Sequence, residues 1–475
     1  MSIVYIALEF PPVQTAGMFR SYEMVKRLHA KGAKLSVLSL SPSKWFFGEK
    51  TNDKLLEEFP SDVPIYRFND ETVRRPSSRW GWFKRIFFRA LSDSFHSDTQ
   101  AQSRELFHRI EREHKPKVVI ASVPPFGASQ IARDAVRFLK CPLVLDFRDA
   151  WSQWESNGLF PTRFHFNLLR RLERSTIADA HTVLTVTPEL TSLLARENDP
   201  QNTDRFLTLP NGHSVDLDDL PTPDLRSVDD AEQKPLRIGY VGRFYYQPDW
   251  EKLAATPWYR RPLGKQFHYL PLKEQWIYRG PFPFLRALGQ LFKRRPELRG
   301  KVEFHLLGDV PDWLPGMVEE CDVKDACVFH GFLPKHEAME ISSSFDGFLA
   351  TSMKREDGGD YCLASKTFDY VRFAKPVLGF VCPGSQKNFL DRAGIGECCD
   401  PDDPEDGARL LERFAEGKIE VKPCVEFLQR FHLDQLSDNL LKILHSVGEQ
   451  RPVDRSLSFE WNADAPTPEM EAVAS

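Results

Sequence analysis

The sequence predicts two consecutive Rossmann-like, doubly wound α/β domains facing a central cleft. Three observations carry that expectation. Short β-branched and apolar runs alternate with amphipathic helical stretches. The alternation stops in an Asp- and Pro-rich stretch around residues 216–234 and then restarts. With 475 residues the chain also exceeds what one hydrophobic core ordinarily supports.

The elements follow in order. Residues 2–8 read as a strand, the loop through Pro11, Pro12 and Gly17 breaks it, residues 19–31 have helical periodicity, and residues 34–40 are apolar again. That is a βαβ unit. Strands are expected at 117–122, 143–147, 181–186 and 206–209, completing a first domain over 1–215. A linker spans 216–235. The second domain, 236–425, has strands at 236–241, 302–307, 326–329, 347–351 and 377–381, separated by helices such as 282–293, 335–343 and 365–373. C-terminal helices occupy 426–450, and the acidic, Pro-containing tail 451–475 reads as disordered.

Composition excludes several classes. The chain is 41% hydrophobic and 28% charged, which is globular, and 63 Lys and Arg against 68 Asp and Glu leave a net charge of −5, giving no global reason to bind nucleic acid. Eight cysteines without a Cys-x2-Cys pair argue against zinc, and the adjacent Cys398 and Cys399 read as strand packing. No metal cluster is expected. The N-terminus has no basic region before its apolar run, and no apolar stretch reaches 18 residues, so a cytoplasmic, reduced protein is expected. Gly-x-Gly-x-x-Gly, Gly-x4-Gly-Lys-Ser/Thr and Gly-x-Ser-x-Gly are all absent, which removes the main support for dehydrogenase, P-loop NTPase and α/β-hydrolase readings.

Two stretches break the regularity. Residues 245–278 interrupt the second domain after its first strand with Tyr245, Tyr246, Trp250, Trp258, Tyr259, Phe267, Tyr269, Trp276 and Tyr278. The stretch reads either as a platform for sugar or acceptor, with rings against pyranose faces, or as a self-packed subdomain. Residues 79–91 interleave Trp80, Trp82, Phe83 and Phe87 with Lys84 and Arg85. They read either as a basic amphipathic helix on a membrane or acceptor, or as a helix packed on the first domain.

Several residues suit anion binding at strand ends. Ser365 is placed to N-cap a helix whose free N–H groups face an anion, Lys366 adds a charge, and Asp369, one turn on, suits a ribose diol. A capped helix with a surface Lys and Asp is the competing account. Arg243 ends a strand of the same domain, and Arg279 precedes a helix, either as a third phosphate donor or as a structural Arg. In the first domain Gly17 lies in the loop where backbone approaches a ligand. Asp149 follows a strand and is expected to accept an acceptor's proton, or else to pair with Arg148 or cap the next helix.

Taken together, these elements resemble glycosyltransferase family 4, the retaining, nucleotide-sugar-dependent group 1 glycosyltransferases of the GT-B fold. The resemblance runs in order over about residues 2–445. Phe10-Pro11-Pro12 with Gly17 resembles the family's glycine loop, 146–151 its Arg-Asp-x-Trp element, and Leu209-Pro210-Asn211-Gly212 its domain junction. Val241-Gly242-Arg243, Leu307-Gly308-Asp309, 329–333 and 365–370 followed by 374–377 are similar to its donor-binding elements. The resemblance implies that Arg243 and Arg279 hold the donor diphosphate, that backbone around Gly331 and Phe332 meets the base, and that Asp369 meets the ribose. Where many members carry a first Glu this chain has Tyr361, with Asp360 as its neighbour. It implies no cofactor and no metal, a nucleotide-sugar donor, a glycan or lipid-linked acceptor, peripheral contact with the inner membrane surface, and a role in surface polysaccharide biosynthesis. A nucleotide-sugar epimerase of the same fold and a catalytically inactive sugar-nucleotide-binding scaffold are the alternatives.

Overall fold

The computed structural model describes residues 1–42, 51–69, 95–153, 160–223, 225–229, 234–269, 274–333, 335–356 and 360–462. The first sheet is built from β1 (Ser2–Ile6), β2 (Lys34–Leu40), β3 (Ile65–Phe68), β4 (Val118–Val123), β5 (Leu143–Phe147), β6 (Thr182–Thr185) and β7 (Phe206–Thr208). Its order is β3-β2-β1-β4-β5-β6-β7, every pair parallel, with Ile3 beside both Leu35 and Val118. The second comprises β8 (Leu236–Val241), β9 (Val302–Leu307), β10 (Cys327–Gly331), β11 (Gly347–Thr351), β12 (Val377–Phe380) and β13 (Gly396–Cys399), also all parallel, ordered β10-β9-β8-β11-β12-β13.

Central strands such as β4 are buried along their whole length, which is why they read as continuous apolar runs rather than alternating ones. β3 and β13 escape the periodicity reading because they are four-residue edge strands, one carrying Arg67 and the other opening Gly-Glu. The first helix starts at Ala16, earlier than residue 19, because the Thr15 side chain caps it, accepting from the Met18 N–H at 3.2 Å. Met18, Tyr22, Val25 and Leu28 then bury one stripe of it against the sheet.

The chain ends by returning to the first domain. Leu433, Leu436, Leu440, Ile443, Leu444 and Val447 of the Leu433–Gly448 helix share a core cluster with Ile3, Tyr5 and Val25. Asp434 and Asp438 on its outer side pair with Arg27 (2.9 Å) and Lys31 (2.6 Å) of the first helix. The expectation of disorder from residue 451 is corrected for 451–462. Ser458 and Phe459 hydrogen-bond both sides of Thr208, at 2.8 and 2.9 Å, and Phe459 and Trp461 pack against Phe431. Local composition, polar and acidic, hides two aromatics whose burial is available only on a surface formed by both halves of the chain. Residues 463–475 lie outside the described residues.

One buried ion pair joins the helix, the sheet and the inter-domain crossing. The Arg20 guanidinium grips Asp146 at the end of β5 with two bonds of 3.0 and 2.9 Å, and also donates to the carbonyls of Leu209 (2.9 Å) and Pro210 (2.7 Å). Burial opposes its charge, but Asp146 outweighs that and raises its pKa. Removing one partner of such a pair leaves the other charge buried and unpaired, a loss of about 3–5 kcal/mol. Arg20→Ala is therefore expected to lower the melting temperature by roughly ten degrees, and adding Asp146→Ala to restore part of the loss, both read by calorimetry.

Candidate functional site

Both sheets reverse their strand order, between β1 and β4 in the first and between β8 and β11 in the second. At such a point the connections leaving neighbouring strands diverge, opening a crevice at the carboxyl edge. Gly17, Arg243, Arg279 and residues 365–369 sit on those connections, whereas Asp149 follows the neighbouring β5 and Gly331 and Phe332 lie at the end of β10.

At the second sheet's edge, glycines end three adjacent strands. Gly242 donates its N–H to Leu307 O at 2.8 Å, and Gly308 donates to Gly331 O at 2.9 Å. A side chain on Gly308 would run into the Gly242 carbonyl, so only glycine permits this approach. Gly242 (φ +116°) and Gly331 (φ +72°) adopt backbone that side-chain-bearing residues rarely take. The result is an edge clear of Cβ atoms, with open space around Gly331 and an exposed Phe332 beyond it.

Lys366 overlooks this edge. Its Nζ lies 3.6 Å from the centroid of the Tyr240 ring, and a Cβ on Gly242 would stand 3.2 Å from it. Among the described residues no carboxylate stands within ion-pair distance of this ammonium, and burial alone pushes its pKa down to about 7. The Ser365–Val371 helix that carries it is positioned by Tyr370, whose ring stacks on Phe348 of β11 at 4.3 Å and whose hydroxyl accepts from Val241 N–H at 3.3 Å. The N-cap expectation is corrected: Ala364 caps this helix without a side-chain bond, and Ser365 is its exposed first residue. Asp369 follows one turn later, its carboxylate half exposed and 3.7 Å from Arg372. Arg243, on the connection leaving β8, is exposed.

Arg279 has a different environment. It is largely buried and forms a two-pronged ion pair with Glu274, whose carboxylate is fully enclosed; the second bond measures 3.3 Å. Glu274 is held in turn by backbone pairing with Arg355. Its charge is thus compensated, unlike that of Lys366. Sequence reasoning missed Glu274 because it belongs to the aromatic stretch, where nothing in the spacing distinguishes an inward carboxylate.

From the first sheet, Asp149 is half-buried after β5. Burial raises its pKa, against the pull of Arg148 and Arg279. Asp149, Arg279 and Arg243 all act electrostatically on the Tyr245 hydroxyl, which places groups from both domains around one space. Gly17 does not leave an open notch: the Arg148 guanidinium and the Glu9 carboxylate occupy the space its Cβ would fill, and Arg148 donates to Pro124 O. Tyr361 is buried in the first domain's core cluster, with Thr187 donating to its carbonyl at 2.7 Å. Asp360 is fully buried; its Oδ1 accepts from Cys362 N–H at 2.7 Å while Oδ2 has no partner, and burial pushes its pKa up to about 8. Trp80, Trp82, Phe83, Lys84, Arg85 and Phe87 lie outside the described residues. Among the described residues no helix is long and apolar enough to cross a membrane.

Residues 19–212 match the family model described as a glycosyl transferase 4-like domain. A search of curated proteins finds no significant match. Among solved structures, Anabaena HepE in complex with UDP and glucose is similar with a TM-score of 0.51 at 12% identity, covering 95% of this chain and 98% of that one. The N-terminal domain of Candida albicans trehalose-6-phosphate phosphatase is similar with a TM-score of 0.50 at 11% identity, covering 96% and 94%. Residues 19–212 are thus similar to a glycosyl transferase 4-like domain, and the paired parallel sheets have the GT-B fold.

The Asp360 environment has a measurable consequence. Its folded pKa near 8 stands above the unfolded value of about 4, so the folded chain holds the extra proton in between and stability falls as pH rises through that window. Asp360→Asn, which stays neutral, should flatten the melting-temperature profile between pH 5 and 9 and gain on the wild type at the alkaline end. Parallel profiles would show that Asp360 titrates normally.

Proposed function

We propose that the chain is a retaining glycosyltransferase that moves a hexosyl group from a nucleoside diphosphate sugar to a glycan or lipid-linked acceptor, in surface polysaccharide assembly. The observation that carries this reading is the Lys366 ammonium, held over the glycine-lined edge of β8 to β10 with no carboxylate at ion-pair distance among the described residues. A partly buried positive charge of this kind is costly unless an anion completes it. In this reading the diphosphate lies between Lys366 and Arg243, with the base toward Gly331 and Phe332 and the ribose toward Asp369. The UDP in the complex of the similar HepE accords with this class of ligand.

The chemistry asks little of the protein beyond charge and position. The acceptor oxygen bonds to the anomeric carbon on the face from which the diphosphate leaves, the bond from that carbon to the phosphate oxygen breaks, and the acceptor proton passes to Asp149. Arg243 and Lys366 stabilise the charge growing on the leaving diphosphate, each worth a few kcal/mol at a well-placed site. These cations make a metal-independent reaction the expected mode. Arg279, already paired with Glu274, acts by holding the aromatic segment against the cleft and by lending its field to Asp149.

A second reading, a catalytically inactive sugar-nucleotide-binding scaffold, draws on Tyr361 and on the neutralised Arg279. A thermal-shift panel of UDP, GDP, ADP, CMP and dTDP followed by donor turnover separates the two. One diphosphate is expected to raise the melting temperature, and Arg243→Ala to keep the fold while losing most turnover, on the order of a hundredfold. Binding without any transfer or donor hydrolysis favours the scaffold, and near wild-type turnover in Arg243→Ala contradicts the diphosphate placement.

A further inference from the structure

The loop 256–269 presents its apolar side chains outward. Ten large hydrophobic residues are exposed among the described residues, and four of them fall within ten positions of this loop: Trp258 (61% exposed), Tyr259 (60%), Leu263 (92%) and Phe267 (72%). A fifth, Phe164 (60%), lies on the helix against which the loop packs. Isolated exposed apolar residues are ordinary, whereas such a concentration marks a surface that contacts something.

The loop is built to hold that display. Arg261 reaches across it, donating to Thr256 O at 2.9 Å and to His268 O at 2.8 Å, so its two ends are tied together from within. Tyr269 exchanges two backbone bonds with Phe160, at 3.1 and 2.9 Å, and its ring packs on Phe166. The display is therefore anchored to the first domain as well as the second. Its charge is one-sided: between Glu251 and Glu274 the sequence has Lys252, Arg260, Arg261, Lys265 and Lys273 and no acidic residue, in a chain whose net charge is −5. Arg260 and Lys265 are exposed among the rings.

We propose that this loop, with Phe164, is a docking surface for an anionic lipid bilayer. Aromatic rings favour the interfacial depth where one side is apolar and the other wet, and each cation near an anionic leaflet adds attraction that salt screens. The loop lies on the connection that leaves the carboxyl end of β8, after the Pro248–Ala255 helix, and pairs with Phe160 on the connection after β5, so docking there would bring the carboxyl edges of both sheets towards the membrane. The docking stands whichever reaction the cleft performs. It is also separate in sequence from residues 79–91, so the two are distinguished by mutation.

Co-sedimentation of the full chain with phosphatidylcholine vesicles, with and without phosphatidylglycerol, tests this. Binding is expected only with phosphatidylglycerol and is expected to weaken with salt. Trp258→Ser combined with Phe267→Ser, and separately Arg260→Glu combined with Lys265→Glu, should each reduce the partition coefficient roughly tenfold or more. Both pairs should leave the melting temperature unchanged, because these side chains are exposed. Absence of wild-type binding overturns the proposal, as does undiminished binding by both variants. A dimer in solution that the same substitutions dissociate would assign the surface to a second copy instead.

Discussion

The constraint on which the site depends is the reversal of strand order between β8 and β11. It sends the β8 connection one way and the β11 connection the other, and the gap between them is bordered by Gly242, Arg243 and the helix that begins at Ser365. Gly242 keeps a side chain off that border, as Gly308 and Gly331 do at the ends of the adjoining β9 and β10, and Tyr370 fixes the distance between its two sides by stacking on Phe348 while accepting from Val241. The first sheet repeats the arrangement between β1 and β4, and Arg148 and Asp149, which follow the neighbouring β5, approach from the facing edge. Topology, rather than any one motif, brings these residues together.

Within that crevice the cations differ in state. Arg279 has spent its charge on an enclosed carboxylate, whereas Lys366 faces an aromatic ring and a bare backbone. An ammonium under those conditions loses part of its affinity for protons. In the proposed reading an arriving diphosphate would restore it, coupling ligand binding to protonation at one residue. The domains are meanwhile clasped at several points: Tyr361 is seated in the first core, Glu189 accepts from Ser385, Asn388 and Trp461, and the C-terminal helix crosses back to pair with the first helix.

Most of this fold is legible in the sequence, because parallel strands buried on both faces announce themselves as apolar runs. β2, β5, β8, β9 and β11 coincide with their expected bounds. What escapes is decided by tertiary context. β3 and β13 are short and partly polar, and Phe459 and Trp461 fold into a surface assembled from distant segments. The same division holds at the site. The positions of Arg243 and Gly331 at strand ends and of Lys366 at the start of a helix are readable from the order of the elements. The pairing of Arg279 with Glu274, the filling of the Gly17 notch by Arg148, and the burial of Asp360 depend on side chains meeting across loops, and no periodicity encodes them.

The proposed site has a nucleoside diphosphate complete the charge of Lys366. Titration calorimetry with UDP near pH 8, repeated in buffers of different ionisation enthalpy, counts protons taken up on binding. With the free ammonium titrating at about 7, uptake of most of one proton is expected, with affinity that weakens as pH rises above 7 and loss of both effects in Lys366→Met. Binding of UDP with no proton uptake, unchanged in Lys366→Met, would place the diphosphate elsewhere.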